Sequence, residues 1–170
     1  ASLTKIMTLY LTFEALTQGN LSLKQRLPVS HHAWSQTPSK LGLLPGETIT
    51  VEDAILALVT KSANDVAVTL AEKLAGSEPR FAREMTRRAR ELGMGRTNFR
   101  NASGLHHRLQ YTTARDMAKL SQALIHDFPQ YYSYFATRSF TFRGVTYKNH
   151  NNLLGKVTGL DGIKTGYVRA

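Results

Sequence analysis

The chain has 170 residues, long enough for one domain with a sizeable core, and its 42% hydrophobic and 20% charged residues are ordinary for a globular protein. The absence of cysteine excludes a disulfide framework and a cysteine-ligated metal, and no apolar run reaches the roughly 18 residues that a membrane span needs. A net charge of +10 fits an anionic partner such as nucleic acid, anionic lipid or an anionic polymer.

The first predicted element is a buried helix from residue 2 to about residue 17, ended by Gly19 and Asn20. Ser2 and Lys5 stand three residues apart, so the helix puts their side chains on one face. A serine hydroxyl becomes a strong nucleophile when a base removes its proton, and a lysine can be that base when burial or a nearby cation lowers its pKa. Alone, this spacing is a weak indication, because it is common in surface helices.

Residues 20–50 have little periodic apolar pattern and are predicted to form loops with short pieces such as residues 23–29. His31 and His32 lie there, but no further ligands stand at metal-site spacing, so no metal is predicted. Thr50 and Asp53 have the spacing of a capping box, which predicts the start of the next helix.

That helix is predicted to break near Ser62 and Ala63, and a second helix follows with Asn64 or Asp65 as its N-cap and Gly76 at its end. Two interpretations of Ser62 and Asn64 remain open at this point. They are either capping residues between two helices, or side chains that a tight turn directs into one cleft.

Residues 78–92 predict a helix whose apolar residues Phe81, Met85 and Ala89 recur at helical spacing, with most arginines on the opposite face. No aromatic residues alternate with these arginines as base-stacking platforms would. A solvated helix face is therefore favoured over a nucleic-acid interface, and no nucleic-acid partner is predicted.

The last third of the chain combines a helix with strands. Thr112 or Thr113 is predicted to cap a helix that reaches about residue 126. After it, alternating apolar residues on both sides of Arg143 and Gly144 predict a hairpin. The remaining expectations are an inward helix face of Met117, Leu120, Leu124 and Ile125, and a core contribution from Tyr131, Tyr132, Tyr134 and Phe135.

Residues 162–168 are predicted to form a strand, on which Lys164, Gly166 and Val168 share one face. A glycine inside a strand marks a close approach to the backbone, and a substrate peptide is the expected neighbour of Gly166.

Three short motifs occur in order along the chain: Ser2-x-x-Lys5, Ser62-x-Asn64 and Lys164-Thr165-Gly166. This order is the motif set of penicillin-binding proteins and class A β-lactamases, with Ala63 in place of the usual aspartate. Over residues 1–170 the chain resembles the low-molecular-weight D-alanyl-D-alanine carboxypeptidases. The resemblance also includes Leu44-Pro45-Gly46-Glu47, Lys61, Asp65, Ala67, Asn98-Phe99, Asn101, Ser103-Gly104-Leu105, residues 111–118 and Asp161-Gly162-Ile163.

The resemblance implies an α+β fold in which a helical cluster packs on an antiparallel sheet, with the active-site cleft between them. These relatives have strands before the serine helix and after the third motif. We therefore expect residues 1–170 to be one catalytic domain trimmed at both ends, with an incomplete sheet. Tyr167 stands where the relatives often have histidine.

The resemblance also implies hydrolysis of peptidoglycan stem peptides that end in D-alanyl-D-alanine, through an acyl-enzyme on Ser2. The implied catalytic residues are Ser2, Lys5, Ser62, Asn64 and Lys164, and the implied substrate-binding residues are Lys164, Thr165, Gly166 and Tyr167, with assistance from Arg169. β-Lactams are implied as covalent inhibitors, with no cofactor. The expected location is periplasmic or extracytoplasmic, with any membrane association through regions outside this sequence.

Three alternatives remain from the sequence. A β-lactamase-like hydrolase would need a separate glutamate for deacylation, whereas Glu72, Glu78, Glu84 and Glu91 all lie on predicted helices. A non-catalytic module that binds cell-wall peptide or penicillin is the other alternative, and a basic nucleic-acid binder ranks last.

Overall fold

The computed structural model describes residues 1–167 and has an α+β fold, as predicted. Its helices are α1 (Lys5–Thr17), α2 (His31–Trp34), α3 (Val51–Val59), α4 (Asn64–Ala75), α5 (Glu78–Glu91), α6 (Ala114–Asp127) and α7 (Pro129–Tyr132), with 3₁₀ turns at Ser2–Thr4 and Ser133–Ala136. Strands β1 (Arg26–Pro28) and β2 (Thr48–Thr50) pair antiparallel, and so do β3 (Ser139–Phe142) and β4 (Val145–Lys148). Within residues 1–167, no helix is both long and apolar enough to cross a bilayer.

Helix α1 lies at the centre of the core and is apolar on nearly all sides. Every residue from Lys5 to Phe13 is buried, and the helix packs against α3, α4, α5 and α6. The ring of Phe13 stacks on Tyr131 at a centroid distance of 5.0 Å, which ties the region after α6 to this helix. A helix that is hydrophobic all round belongs in a core. The first residue of α1 is therefore held inside the protein.

Helices α4 and α5 follow the predicted pattern. Val66 and Leu70 are buried on α4, which ends at Gly76 with a φ of 76°. On α5, Phe81 and Met85 are buried, and most of the arginines lie on the opposite, solvated face. The hydrophobic face of each amphipathic helix thus packs towards α1, and the predicted periodicity is confirmed.

Side-chain caps begin two of the helices where the sequence predicts them. The hydroxyl of Thr50 accepts the N–H of Asp53 at 3.1 Å, and that of Thr113 accepts the N–H of Asp116 at 3.1 Å. The predicted hairpin is β3–β4, with Arg143 and Gly144 at its turn. These signals are local, so they do not depend on long-range packing.

Three local expectations are wrong. Ala63 is the N-cap of α4, because Asn64 and Asp65 use their side chains elsewhere; Asp65 accepts the N–H groups of Leu41 and Gly42 at 3.1 and 2.9 Å. Within residues 20–50, the short piece expected at residues 23–29 contains β1, whereas α2 and β2 lie where only loop was expected. Ile125, expected on the inward face of α6, is 43% exposed.

The strand predicted at residues 162–168 is also wrong for its described part. Residues 162–167 belong to no strand, and Val168 lies outside the described residues. A strand is defined by hydrogen bonds to a neighbouring strand. The period-two pattern alone does not supply that neighbour.

We expect Thr50→Ala to lower the free energy of unfolding by about 1 kcal/mol, because the N–H of Asp53 loses its cap. Thr50→Ser keeps the hydroxyl and is expected to stay within about 0.5 kcal/mol of wild type. Urea unfolding of the three proteins measures both values. Equal losses in the two variants would contradict the capping role.

Candidate active site

The first motif forms a hydrogen-bonded cluster at the start of the chain. Ser2 lies in the first 3₁₀ turn, and Lys5, fully buried, begins α1. The Nζ atom of Lys5 lies 3.5 Å from Ser2 Oγ, 2.7 Å from Asn64 Oδ1 and 2.6 Å from the carbonyl oxygen of Ser103. Residues 2, 64 and 103 are far apart in sequence, so the fold itself brings these groups together.

The surroundings of Lys5 match a neutral amine. Asn64 Oδ1 and Ser103 O are acceptors only, so they take the two hydrogens of an uncharged amine. The nitrogen lone pair is then left for the hydroxyl of Ser2, which is a donor as well as an acceptor. Burial, reinforced by the charge of Lys164, holds the pKa of Lys5 well below the usual value of a lysine, and Asp65 opposes this only in part.

Ser62 and Asn64 occupy the turn between α3 and α4. Ser62 has a φ of 58°, in the left-handed region that L-residues rarely adopt, and its Oγ accepts a hydrogen bond from Lys164 Nζ at 3.0 Å. Asn64 Nδ2 donates to the carbonyl oxygen of Thr37 at 2.9 Å, so the amide that accepts from Lys5 is fixed at both ends. The helix-capping interpretation is therefore wrong for both residues.

The third motif lies beside the turn that carries Ser2. Burial lowers the pKa of Lys164 to about 8. A Cβ atom on Gly166 would stand 3.0 Å from Leu3 Cγ and 3.2 Å from Leu3 N. The close neighbour of this glycine is therefore the turn that carries Ser2, whereas the sequence analysis expected a substrate peptide next to Gly166. Tyr167 is 80% exposed, and Arg169 lies outside the described residues.

A cavity of about 500 Å³ opens over these groups. Ser2, Ser62 and Asn64 line one part of it, and Lys5 lies beneath them. The other lining residues are Pro38, Ser39, Ser103, Gly104, Leu105, His150, Thr165, Gly166 and Tyr167. The five predicted catalytic residues are thus brought together at one cleft, and three of the four predicted substrate-binding residues line it.

The sequence did not reveal two members of the cleft. Ser103 acts through its backbone carbonyl, and only the resemblance of Ser103-Gly104-Leu105 to the relatives pointed to this segment. His150 follows β4, and nothing in its neighbourhood marked it as functional. His150 is an exposed residue at the edge of the cleft, and partial desolvation, with Lys164, Lys61 and Lys5 nearby, lowers its pKa, so a neutral imidazole is favoured there.

Gly104 is the one glycine of the cleft whose conformation matters. Its φ is 85°, and a Cβ atom there would collide with the carbonyl oxygen of Ala1. The segment therefore approaches the chain start more closely than any other residue type would permit. This contact sets the distance between Ser103 and the Ser2 turn.

The four glutamates weighed for a β-lactamase-type deacylation do not line the cavity. Each accepts hydrogen bonds elsewhere, from Ser30, from His32 and Ala102, or from arginines of α5. Among residues 1–167, no group of three His, Asp or Glu side chains is arranged to hold a metal ion.

Comparisons with known proteins agree with this site. A family model described as Peptidase_S11, D-alanyl-D-alanine carboxypeptidase, matches residues 1–170, so the chain belongs to this family. D-alanyl-D-alanine carboxypeptidase DacF of Bacillus subtilis is 37% identical over 172 residues, which cover 98% of this chain and 44% of that protein. The chain thus spans less than half the length of this relative.

Solved structures show the same fold. Penicillin-binding protein 5 from Haemophilus influenzae matches 99% of this chain and 50% of its own, with a TM-score of 0.94 and 35% identity. Penicillin-binding protein D2 from Listeria monocytogenes, in its cefotaxime-bound form, matches 99% of this chain and 69% of its own, with a TM-score of 0.85 and 35% identity. The predicted α+β fold and family are confirmed.

We expect wild type to gain stability relative to Lys5→Met as the pH rises. The folded protein has the lower lysine pKa, so the unfolded chain binds the proton that the folded chain releases. The difference in free energy of unfolding, wild type minus variant, should rise by up to about 1.4 kcal/mol per pH unit between the lowered pKa and about pH 10.4. Urea unfolding from pH 7 to 9 measures the slope.

The exposed Lys24 provides the control for this experiment. The difference in free energy of unfolding between wild type and Lys24→Met should not change with pH over the same range. If the Lys5→Met difference is equally flat, Lys5 is charged in the folded protein and the base assignment is wrong.

The left-handed backbone at Ser62 gives a second prediction. Ser62→Gly should be about 1 kcal/mol more stable than Ser62→Ala, because only glycine adopts this φ without strain. Both variants lack the hydroxyl that accepts from Lys164, so the comparison isolates the backbone. At Ser133, where φ is −57°, the order should reverse, with alanine more stable than glycine. Thermal unfolding measures all four.

Proposed function

We propose that this protein is a serine-type D-alanyl-D-alanine carboxypeptidase that removes the terminal D-alanine from peptidoglycan stem peptides. The observation that carries the proposal is the buried Lys5 amine, which has two carbonyl acceptors at 2.7 and 2.6 Å and the Ser2 hydroxyl at 3.5 Å. Burial and the charge of Lys164 lower the pKa of this amine, which favours its uncharged form beside the Ser2 hydroxyl, the arrangement that nucleophilic catalysis by serine needs. Its family membership supports the same reaction.

Acylation follows from this geometry. Ser2 Oγ attacks the carbonyl carbon between the two D-alanines while its proton passes to Lys5 Nζ. The negative charge that develops on the carbonyl oxygen is stabilised by backbone N–H groups, which we assign to Ser2 and, by resemblance, Tyr167. Collapse of the tetrahedral intermediate breaks the C–N bond and leaves the remaining peptide as an ester on Ser2.

The departing D-alanine must receive a proton at its amine. We assign this transfer to Ser62, which already accepts a hydrogen bond from Lys164 at 3.0 Å. A further bridge from Ser62 to Lys5 is a prediction: through it Lys5 passes the proton taken from Ser2 to Ser62 as Ser62 protonates the leaving amine, so Lys5 is neutral again. In the described residues the hydrogen bonds of Lys5 go to Ser2, Asn64 and Ser103. Water then attacks the ester, with Lys5 as base, and restores the Ser2 hydroxyl.

Substrate binding is assigned to the third motif. The Lys164 cation and the Thr165 hydroxyl are suited to the terminal carboxylate of the peptide. Gly166 and Tyr167 line the same cavity and offer backbone groups to an extended peptide. Arg169 is an additional candidate for the carboxylate. Asn64 has a second N–H that is available to the substrate backbone.

β-Lactams are proposed as covalent inhibitors of Ser2, since the related Listeria protein is described in cefotaxime-bound and ampicillin-bound forms. A peptidoglycan substrate implies an extracytoplasmic location. Of the alternatives, a β-lactamase-like hydrolase is disfavoured because no glutamate lines the cavity. A non-catalytic binding module remains the competing function.

We expect benzylpenicillin to form a covalent adduct with wild type and none with Ser2→Ala, because Ser2 is the only proposed nucleophile. Intact-mass spectrometry detects the adduct, and peptide mapping locates it. Ser22→Ala removes an exposed serine and should remain fully labelled. A slowly released adduct, together with D-alanine release from a peptide ending in D-alanyl-D-alanine, supports the carboxypeptidase.

Other outcomes separate the alternatives. Rapid loss of the adduct with turnover of penicillin would favour a β-lactamase-like hydrolase. No adduct, combined with saturable binding of the peptide, would make the binding module the better description. An adduct that persists in Ser2→Ala would show that another residue is the nucleophile.

A further inference from the structure

A buried glutamate outside the three motifs connects to the lysine amine through the backbone. Glu78 is 8% exposed and lies in the first turn of α5, yet its side chain points away from its own helix. Its Oε1 accepts the backbone N–H of Ala102 at 3.0 Å. Ala102 immediately precedes Ser103, whose carbonyl oxygen is 2.6 Å from Lys5 Nζ.

The other carboxylate oxygen is also occupied. His32 Nε2 lies 2.7 Å from Glu78 Oε2, and because an ionised carboxylate only accepts hydrogen bonds, the imidazole is the donor. His32 is held in turn by α2, whose N-cap Ser30 donates to Glu72 of α4 at 2.9 Å. Glu78 therefore links a fixed surface helix to the backbone beside the active site.

The segment that Glu78 holds is fixed on its other side by α1. Thr8 donates to the carbonyl oxygen of Ala102 at 2.7 Å, and Gly104 lies against the carbonyl of Ala1. The hydrogen bond that the N–H of Ala102 donates to Glu78 ties this segment to α5. Without it the N–H of Ala102, which is fully buried, has no partner, and the segment must move to hydrate it.

We infer that Glu78, held from outside by His32, is a positioning residue that fixes the Ala102–Ser103 backbone as the acceptor of the Lys5 amine. The segment both orients the amine and covers it from water. An acid at the first turn of a helix is commonly explained by the helix dipole alone. That explanation does not account for a side chain whose two oxygens are both bonded outside the helix.

The inference rests on the proposed function for the role of Lys5, but its test does not require catalysis. Lysine labelled with ¹³C at Cε reports the titration of each amine by NMR, and Lys5→Met assigns the Lys5 signal. In Glu78→Ala we expect the Lys5 midpoint to rise by about one pH unit, because water reaches the amine and relieves its desolvation. The titratable groups that interact with Lys5 are Asp65, Lys164, His150 and the amine of Ala1, and all are unchanged in every variant.

Two variants separate position from charge. Glu78→Gln removes the charge but keeps an oxygen for Ala102 and a polar group beside His32, so the Lys5 midpoint should stay near wild type. His32→Ala keeps the charge of Glu78 but removes the hydrogen bond at its Oε2 atom. It should raise the Lys5 midpoint by less than Glu78→Ala does. His32 is half exposed, so this variant remains informative if Glu78→Ala does not fold.

Glu84→Ala is the control, since Glu84 is an exposed acid on the same helix that pairs with Arg87. It should not move the Lys5 midpoint. The inference is overturned if folded Glu78→Ala and His32→Ala both titrate like wild type, or if Glu78→Gln shifts as much as Glu78→Ala. Failure of the proposed function is a separate result: wild type would form no penicillin adduct while the titrations still differ.

Discussion

The interaction on which the site depends is the enclosure of the Lys5 amine by carbonyl oxygens from two distant parts of the chain. A charged lysine is expensive to bury, and burial together with the charge of Lys164 lowers the pKa of Lys5, which favours the neutral amine. Asn64 comes from the start of α4, and Ser103 from the loop before α6. Both must meet the start of α1 within hydrogen-bond distance. The core around α1 fixes the position of Lys5 at the start of this helix.

The turn between α3 and α4 has a similar double requirement. Asn64 must face Lys5 while Ser62, two residues earlier, must face Lys164. Regular helix at both positions would not separate the two side chains in this way, and the left-handed φ of Ser62 changes the chain direction between them. Backbone strain at a functional residue persists only where the surrounding structure enforces it. Here the buried start of α4 and the bonds of Asn64 and Asp65 provide that enforcement.

The sequence predicted the parts of the structure that depend on local chemistry. The cap at Thr50, the hairpin at Arg143 and Gly144, and the amphipathic face of α5 all follow from neighbouring residues. The strand at residues 162–168 failed because pairing is a long-range property. The Ser103 acceptor could not be predicted, since a backbone carbonyl is common to every residue and only the fold selects one.

Two lysines that share one cleft need different protonation states, and the structure supplies the difference. Lys164 has a pKa of about 8 and a hydroxyl partner, so at neutral pH it is mostly charged and suited to a carboxylate. Lys5 is fully enclosed, and the charge of Lys164 lowers its pKa further, so the first proton to leave the pair comes from Lys5. When the surroundings of two titratable groups separate their pKa values, the group with the lower pKa can act as the base and the other stays charged. The positive charge at the third motif thus favours the neutral form in which the lysine of the first motif can accept a proton.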